Sequence, residues 1–352
     1  MAYSSIIKPS TLMSAKLYTG NGNANHAITG VGFQPDWVWI KNRSTANHYL
    51  FDVVRGAQKN IHSNENYAEV TEATTLTAFG SDGFTLSTDA DLNGNGASVV
   101  SWNWKAGTSF TNDASATGIG SIDSTGSVNT NAGFSIISYT GTATNGTIAH
   151  GLGVAPSLII IKNLSTAINW SVNCQPLNAS LGDYTRYLTL DSNSGVSGAG
   201  NVQYQNSAFT SSVFNVGTNA TTNGNGNSMI AYCFAEKQGY SKVGLYTGNG
   251  NAGGPFTYLG FKPAFVMIKR TDVSKNWYIN DNLRDGYNND NPYLSPNLTA
   301  AETGGTEIDL LSNGFKITAS GTGHNQSGGT YIYMAFAENP FVASNFNAAT
   351  AR

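Results

Sequence analysis

Four oxygen-bearing side chains alternate along one short segment of the sequence and could bind a calcium ion. Asp89, Asp91, Asn93 and Asn95 have the spacing of the first ligands in a calcium-binding loop. Such a loop carries an acidic residue at its twelfth position, where this sequence has Val100, and it lies between helices that this sequence does not predict. The segment is therefore a candidate calcium site, with a polar hairpin turn as the alternative.

An acidic residue and an arginine occur together at two distant places. Asp52 and Arg55 have the same spacing as Asp281 and Arg284. A catalytic acid beside a guanidinium group is one interpretation, and a structural ion pair that orders the loop after a strand is the one we favour. The corresponding stretch in between reads Asn-Cys-Gln-Pro over residues 173–176, so the fold itself does not require the pair.

Two glutamates, Glu236 and Glu338, stand at the ends of similar strand-like segments. Paired carboxylates could hydrolyse a glycosidic bond if the fold brought them within several ångströms of each other. The favoured alternative is that each carboxylate is a strand-end charge that faces solvent.

The remaining residue types give no catalytic pattern. No two histidines have metal-ligand spacing, and neither a Gly-x-Ser-x-Gly nucleophile motif nor a phosphate-binding Walker loop occurs. The two cysteines, Cys174 and Cys233, are predicted to be buried thiols. We therefore expect no catalytic residue and no cofactor other than the candidate calcium ion, and we predict that the chain is not an enzyme. The five histidines are His26, His48, His62, His150 and His324.

Composition excludes several classes of protein. Charged residues make up 11% of the 352 residues, with 18 Lys and Arg and a formal net charge of −3, so no basic surface is available to bind nucleic acid. No apolar run approaches the ~20 residues that span a bilayer, so membrane insertion is not expected. Two cysteines cannot form a disulfide framework, which favours folding in a reducing cytoplasm.

Aromatic residues leave a binding function open. Six Trp and 17 Tyr could stack on sugar rings while amides bind the hydroxyl groups. Trp37, Trp39, Trp102 and Trp104, however, lie on strands whose pattern places them in a core. Binding of a host surface glycan by a loop is thus one hypothesis, with no binding residue assigned.

The elements that position these residues are repeated three times. Each repeat has an opening Tyr-Thr-Gly block, a Gly-x-x-Pro turn followed by an apolar run and a lysine, a short block around a Phe, and a closing aromatic strand. A period of 100–130 residues makes each repeat the size of a domain. In that order the four blocks cover residues 16–23, 32–42, 81–86 and 98–104, then 134–141, 153–163, 211–216 and 228–234, and then 243–251, 260–270, 312–317 and 330–336.

These blocks predict strands. The closing segments are rich in β-branched and aromatic residues, and Asn-Gly or Asp-Gly pairs mark hairpin turns between strands. The runs after Pro35, Pro156 and Pro263 are apolar at nearly every position, which indicates strands covered on both faces. We therefore predict an all-β chain of three tandem antiparallel β-sandwich repeats, with one short helix over residues 66–76.

Changes in composition give the predicted boundaries. The Ser/Thr/Gly/Asn-rich stretch after the first repeat is expected to be a linker with one strand-like stretch over 120–128, whereas the second and third repeats join with almost no spacer. The predicted segments are an N-terminal arm over 1–15, repeat one over 16–107, a linker over 108–132, repeat two over 133–239, repeat three over 240–341 and a C-terminal tail over 342–352.

The same blocks resemble a family of repeat-bearing structural proteins of tailed bacteriophages, especially marine ones. The resemblance covers residues 16–341 and implies concanavalin-like or jelly-roll-like sandwiches in a virion component, without catalytic residues. The matching segments are residues 18–22, 34–43, 50–56, 100–107, 230–236 and 331–338.

Function follows as an expectation from this resemblance. A tail fibre or receptor-binding protein that attaches the virion to its host is favoured. A capsid-decoration or head-fibre protein is the alternative, and a glycan-binding lectin or polysaccharide-degrading tailspike is the second alternative. The chain would be made in the bacterial host cytoplasm and end in the virion, bound to other virion proteins.

The two termini are expected to take part in assembly. Both ends present apolar side chains: Ile6, Ile7, Leu12 and Met13 in the N-terminal arm, and Val342 and Phe346 in the C-terminal tail next to Phe341. Such short apolar segments gain order from a partner. We therefore predict docking to other subunits and a homo-oligomer, with a trimer favoured by analogy with phage appendages.

Overall fold

The computed structural model describes residues 8–200, 202–284, 288 and 291–340. Strands account for 42% of the chain and helices for 7%, so the all-β prediction is confirmed. Residues 1–7 of the predicted N-terminal arm and the whole predicted C-terminal tail lie outside the described residues.

The first repeat forms a major sheet in the order β1-β9-β3-β4-β5-β6 and a minor sheet in the order β2-β8-β7. A 3-10 helix, Pro9–Thr11, precedes them. The elements are β1 Met13–Thr19, β2 His26–Thr29, β3 Trp37–Asn42, β4 His48–Asp52, β5 Lys59–His62, β6 Val70–Thr71, β7 Leu76–Gly80, β8 Gly83–Leu86, helix α1 Ala90–Asn93 and β9 Ser98–Trp104.

The second repeat has a major sheet in the order β10-β11-β12-β17-β14-β15 and a minor sheet of β13 and β16. Its elements are β10 Thr108–Asn112, α2 Ala114–Thr117, β11 Ser124–Asn129, β12 Phe134–Thr140, β13 Gly146–Ala149, β14 Leu158–Asn163, β15 Ser171–Cys174, α3 Gln175–Leu181, β16 Val213–Val216, α4 Ala220–Asn223 and β17 Ser228–Phe234.

The third repeat has a major sheet in the order β18-β24-β20-β21 and a minor sheet in the order β19-β23-β22. Its strands are β18 Ser241–Thr247, β19 Phe256–Tyr258, β20 Phe261–Arg270, β21 Trp277–Asp281, β22 Ile308–Leu311, β23 Gly314–Ile317 and β24 Thr330–Pro340.

All three major sheets share one antiparallel arrangement. The closing strand lies between the opening strand and the strand that follows the Gly-x-x-Pro turn. The register is also the same: Trp37 pairs with Trp104, Leu158 with Phe234, and Phe265 with Phe336. Because the second residue after each proline pairs with the seventh residue of each closing strand, the repeated blocks occupy equivalent positions in the three sheets.

The strand that follows the proline in each major sheet is buried on both faces, which confirms the prediction from these continuous apolar strands. Along β3, Val38 and Ile40 face the minor sheet of their own repeat, whereas Trp37 and Trp39 face the other way. This alternation follows from the two-residue period of a strand. The predicted burial of Trp39 is confirmed, since its side chain is 0% exposed.

The inward faces of the three major sheets meet in one shared cluster, which we call the central core. Ring contacts within it join all three pairs of repeats: Trp37 with Tyr232 at 4.6 Å, Phe234 with Phe336 at 5.9 Å, and Trp104 with Phe336 at 5.6 Å. The repeats therefore form a closed ring. The central core includes Trp37, Trp39, Trp102, Trp104, Phe134, Ile136, Leu158, Ile160, Tyr232, Phe234, Phe265, Met267, Ile332, Met334 and Phe336.

Three segments differ from the sequence-based description. The stretch predicted as a linker, 108–132, contains β10 and β11, which pair with each other and with β12 and so extend the second major sheet. The helix predicted over 66–76 is wrong, because those residues form loop, the short strand β6 and the first residue of β7. Residues 9–15 of the predicted arm form the 3-10 helix and the start of β1.

Candidate functional site

A buried ionic network occupies the end of β4 in the first repeat. The Asp52 carboxylate accepts hydrogen bonds from the Arg55 amide at 2.8 Å and from Arg55 Nε at 2.5 Å. The other guanidinium nitrogens donate to the carbonyl oxygens of Leu50 and Lys59, and Nη1 lies 3.2 Å from a carboxylate oxygen of Glu69. The side chains of Asp52 and Arg55 are at most 3% exposed, so the acid is closed to solvent.

The third repeat builds the same network at the end of β21. Arg284 Nε donates to Asp281 Oδ2 at 2.6 Å, Nη2 donates to the Ile279 carbonyl oxygen at 2.8 Å, and Nη1 donates to Glu302 at 2.9 Å. Burial acts to raise the pKa of Asp281, but the Arg284 charge and the hydrogen bonds outweigh it and hold that pKa below its ordinary value. The carboxylate therefore stays ionised inside the protein.

A neighbouring repeat supplies one hydrogen-bond donor to each of the two aspartates. Tyr232 of the second repeat donates its hydroxyl to Asp52 Oδ2 at 2.7 Å, and Trp102 of the first repeat donates its indole N–H to Asp281 Oδ2 at 2.9 Å. Both acids are thus bound on every side by protein groups at a contact between repeats. The structural interpretation of the two Asp–Arg pairs is confirmed, whereas sequence analysis missed the glutamates Glu69 and Glu302 and the donors in the neighbouring repeats.

The second repeat replaces the whole network with apolar side chains. Cys174 takes the place of the aspartate, as the strand pairing with Leu158 shows, and Leu177 takes the place of the arginine three residues later. Val196 occupies the position that Glu69 and Glu302 have in the other repeats, because its backbone N–H, like theirs, donates to a carbonyl oxygen in the loop of the next repeat. The donor position on the third closing strand is Met334, and Cys174, Leu177 and Met334 all lie in the central core. The sequence therefore contained a sign of these networks, because all four network positions change together to apolar residues in the second contact.

Three equivalent lysines are buried at the edges of the contacts between repeats. Lys162 Nζ donates to the carbonyl oxygen of Asn66 in the first repeat at 3.0 Å, and Lys269 Nζ donates to that of Asn193 in the second at 3.2 Å. Lys41 Nζ donates to carbonyl oxygens of its own loop at 2.6 Å. Burial lowers the pKa to about 8 for Lys41 and Lys162 and to about 7 for Lys269.

The opening Tyr-Thr-Gly block holds the loop before the closing strand of its own repeat through hydrogen bonds that we call the clamp. In the first repeat, Tyr18 donates its hydroxyl to the Leu92 carbonyl oxygen at 2.9 Å, and the buried Asn93 amide accepts from the Asn21 backbone at 2.9 Å. Gly20 is required because a Cβ there would lie 2.2 Å from a backbone oxygen. The tyrosines Tyr139 and Tyr246 and the asparagines Asn223 and Asn325 make the equivalent bonds.

These bonds account for two of the four candidate calcium ligands. Asn93 belongs to the clamp just described, and Asp89 caps helix α1 by accepting from the amides of Asp91 and Leu92 at 3.0 Å. Among the described residues, no group of three or more His, Cys, Asp or Glu side chains could hold a metal ion. The structure therefore places Asp89, Asp91, Asn93 and Asn95 around one turn, and calcium binding there stays a prediction.

The two candidate glycosidase carboxylates have separate partners. Glu236 accepts from the Val243 amide at 3.2 Å, whereas Glu338 forms an ion pair with Lys262 at 3.2 Å. Burial raises the pKa of Glu236. Within the described residues, no hydrogen bond or electrostatic contact joins these two carboxylates.

The histidines and cysteines are mostly enclosed. Burial lowers the pKa of His48, His62, His150 and His324, the last to about 4. Both cysteines are free and buried, as predicted, and burial raises the pKa of the Cys174 thiol to about 12. Neither thiol is therefore available as a nucleophile at neutral pH.

Shallow polar grooves open on the surface. One of about 280 Å³ lies between the first and second repeats and is lined by Asn64, Glu65, Asn66, Tyr67, Asn169 and Asp191. Grooves of 580 Å³ in the second repeat and 440 Å³ between the first repeat and β10–β11 carry amide and hydroxyl side chains. In the described part of the chain, no helix is both long enough and apolar enough to span a membrane.

A family model described as a domain of unknown function, DUF7483, matches residues 8–340. The chain belongs to the DUF7483 family. No curated protein and no solved structure matches the chain. The DUF7483 match extends over all three repeats and coincides with the ring described above. The family is thus defined on the whole three-repeat body, and not on one repeat.

Proposed function

We propose that this chain is a structural component of a bacteriophage virion, with host attachment as a tail-fibre or receptor-binding protein as its favoured role. The observation that carries the proposal is the closed ring of three repeats around one central core. In that ring the Asp–Arg networks and two of the three buried lysines, Lys162 and Lys269, form hydrogen bonds that hold the repeats together.

The same proposal includes a fold for each repeat. We infer that each repeat is a β-sandwich of the concanavalin-like or jelly-roll-like kind, with the second repeat extended beyond its predicted boundary to include β10 and β11. Support comes from the major and minor antiparallel sheets and from the apolar clusters that each major sheet forms on its outer face. Paired sheets of this kind give a rigid scaffold whose loops are free to vary.

The surface supports a role in attachment. With 40 Gly, 41 Asn and only 11% charged residues, the exposed groups are mainly neutral amides, hydroxyls and backbone. Such a surface forms hydrogen bonds without the long-range repulsion of a highly charged one. It suits a protein that must meet both other virion proteins and the neutral groups of a host surface.

Capsid decoration or a head-fibre role is the alternative, and one observation favours it. The three repeats surround a common core within a single chain, so one copy already presents three similar faces around one axis. A monomer of this shape could sit on a threefold position of a shell without forming the predicted trimer. The third possibility, a polysaccharide-degrading tailspike, draws no support from Glu236 and Glu338, whose partners differ.

The test uses purified virions. Mass spectrometry of virions should detect the chain, and electron microscopy with an antibody against it should label the tail for the favoured role or the head for the alternative. Absence of the chain from purified virions would refute the proposal. Analytical ultracentrifugation of the isolated protein separates the predicted homotrimer from a monomer.

The predicted docking arm is tested with a deletion shorter than residues 1–15. Because residues 9–15 form the 3-10 helix and the start of β1, deletion of 1–7 removes the remainder of the arm without cutting the sheet. If the arm docks the chain, this deletion should lower incorporation into virions while the thermal midpoint of the isolated protein stays unchanged. Unchanged incorporation would refute the docking role of residues 1–7.

A further inference from the structure

The groove between the first and second repeats carries one large side chain that the ring does not use. Tyr67 is 61% exposed and makes no hydrogen bond or ring contact within the described residues. It lies in the loop after β5 whose carbonyl oxygens at His62, Glu65 and Asn66 accept bonds from the second repeat. The backbone of this loop is therefore fixed while the tyrosine ring is left open to solvent.

Internal repetition shows which groove residues the fold needs. Asn64 accepts from the His48 amide at 2.8 Å, as Asn297 accepts from the Trp277 amide at 3.0 Å and Asp191 from the Trp170 amide at 3.0 Å. This position is thus structural in all three repeats.

The same comparison sets Tyr67 apart. The carbonyl oxygens of Asn66, Asn193 and Thr299 each accept a hydrogen bond from another repeat, and the residues that follow them are Tyr67, Ser194 and Ala300. An identical loop position therefore folds with a serine or an alanine. The exposed aromatic ring has no structural role that its two counterparts share.

We propose that this groove is a binding site for a neutral saccharide, with Tyr67 as the stacking platform. The aromatic ring offers an apolar face for the C–H groups of a sugar ring, while the side chains of Glu65 and Asn169 line the same groove and can bind hydroxyls. A volume of about 280 Å³ is near the lower end of ligand pockets, which suits one or two sugar rings.

Charge selects against acidic sugars. Two carboxylic acids and no lysine or arginine line the groove. The buried Lys162, which donates to the Asn66 carbonyl oxygen and interacts with Asp191, offsets only one of the two negative charges, so an anionic ligand would still meet like charge. Burial raises the pKa of Asp191 to about 6, so this residue is mainly ionised at neutral pH. The site therefore favours neutral hexoses and N-acetylhexosamines over sialic or uronic acids. This inference rests on the proposed role in host attachment.

Binding is tested with the full chain and a defined set of sugars. Saturation-transfer NMR is recorded with maltose, cellobiose, lactose and N,N′-diacetylchitobiose, and with 3′-sialyllactose as the anionic probe. We expect saturable binding of at least one neutral disaccharide at about millimolar Kd and weaker binding of the anionic probe. Tyr67→Ala should weaken binding by about tenfold or more, whereas Tyr67→Phe should retain it.

Tyr258→Ala is the matched control, because Tyr258 is 55% exposed in the third repeat and lies outside the groove. It should leave saccharide binding unchanged. No binding by the wild-type chain, binding unaffected by Tyr67→Ala, or a preference for the anionic probe would each overturn the proposal. The chain's presence in virions is measured separately, so failure of the saccharide site leaves the virion proposal standing, and the reverse also holds.

Discussion

At the scale of single residues, the three contacts between repeats contain either a complete buried ionic network or a fully apolar set of side chains in its place. Two contacts between repeats use an aspartate, an arginine and a glutamate with a Tyr or Trp donor, and the third uses cysteine, leucine, valine and methionine. A half-satisfied buried network costs more than a fully apolar one, because an uncompensated charge remains in the interior. Intermediate combinations are therefore unfavourable, which explains why the substitutions occur together.

Tyr232→Phe tests the contribution of the donor to this network. The substitution removes the hydroxyl that Asp52 accepts inside the protein. The free energy of unfolding should fall by about 1.5–3 kcal/mol, as expected for a hydrogen bond to a charged group. Tyr240→Phe is the control, because the buried Tyr240 hydroxyl has no hydrogen-bond partner in the described structure and its loss should cost little. Equal effects in urea unfolding would refute the role of the Tyr232 hydroxyl.

Buried titratable groups predict a pH dependence. Burial lowers the pKa of His324 from 6.5 to about 4, so between those values the unfolded chain binds a proton that the folded chain excludes. Stability should therefore fall as pH falls from 6.5 to 4, and His324→Gln should make that fall less steep.

Asp191 changes the stability with pH in the direction opposite to His324, and the same measurement tests it. Burial raises its pKa from 3.8 to about 6, so the folded chain holds a proton there that the unfolded chain releases. Its contribution to stability grows as pH falls through that range, and Asp191→Asn should make the acid-induced loss steeper. Unfolding free energies measured from pH 4 to 7 that show the same slope in both variants and wild type would contradict these assignments.

At the scale of strands and loops, the sequence predicted what local pattern determines. The three runs after the prolines were expected to be covered on both faces, and β3, β14 and β20 are buried in that way. What covers their inner faces could not be read from the pattern, because it comes from other repeats. Residues 108–132 were predicted as a linker since their composition is polar, yet pairing with the edge of β12 makes strands of them.

The candidate calcium site shows the same limit of prediction from local sequence. Its alternating Asp and Asn residues suggested metal ligands, but Asn93 is held by a clamp that recurs at Asn223 and Asn325 in repeats without those acids. Local spacing therefore could not reveal the structural role of Asn93, whereas comparison between the repeats does, and calcium binding by this turn stays a prediction.

Gly20→Ala tests the clamp. A Cβ at Gly20 would lie 2.2 Å from the Gly94 carbonyl oxygen, so the closing loop would have to move. We expect a loss of about 1–3 kcal/mol in unfolding free energy, as for other overpacked sites. Gly253→Ala is the control, because a Cβ there meets nothing within 4 Å and its backbone suits alanine. Similar thermal midpoints for the two variants would contradict a requirement for glycine at position 20.

At the scale of the whole molecule, the three repeats form one inseparable body. Each repeat would expose its inward aromatic face if it stood alone, including Trp37 and Trp39 in the first and Phe265 in the third. The network donors lie 179 and 180 residues from their acceptors. Separations of that length leave no mark in a local hydrophobic pattern, so ring closure could not be predicted from the sequence even though the repeats could.

Calorimetric unfolding of the complete chain tests ring closure most directly. Because the central core is shared, the three repeats should unfold in a single transition whose van't Hoff enthalpy equals the calorimetric enthalpy. Tyr232→Phe should move that one transition to lower temperature without splitting it. Two or three separate transitions, each assignable to one repeat, would contradict the closed ring.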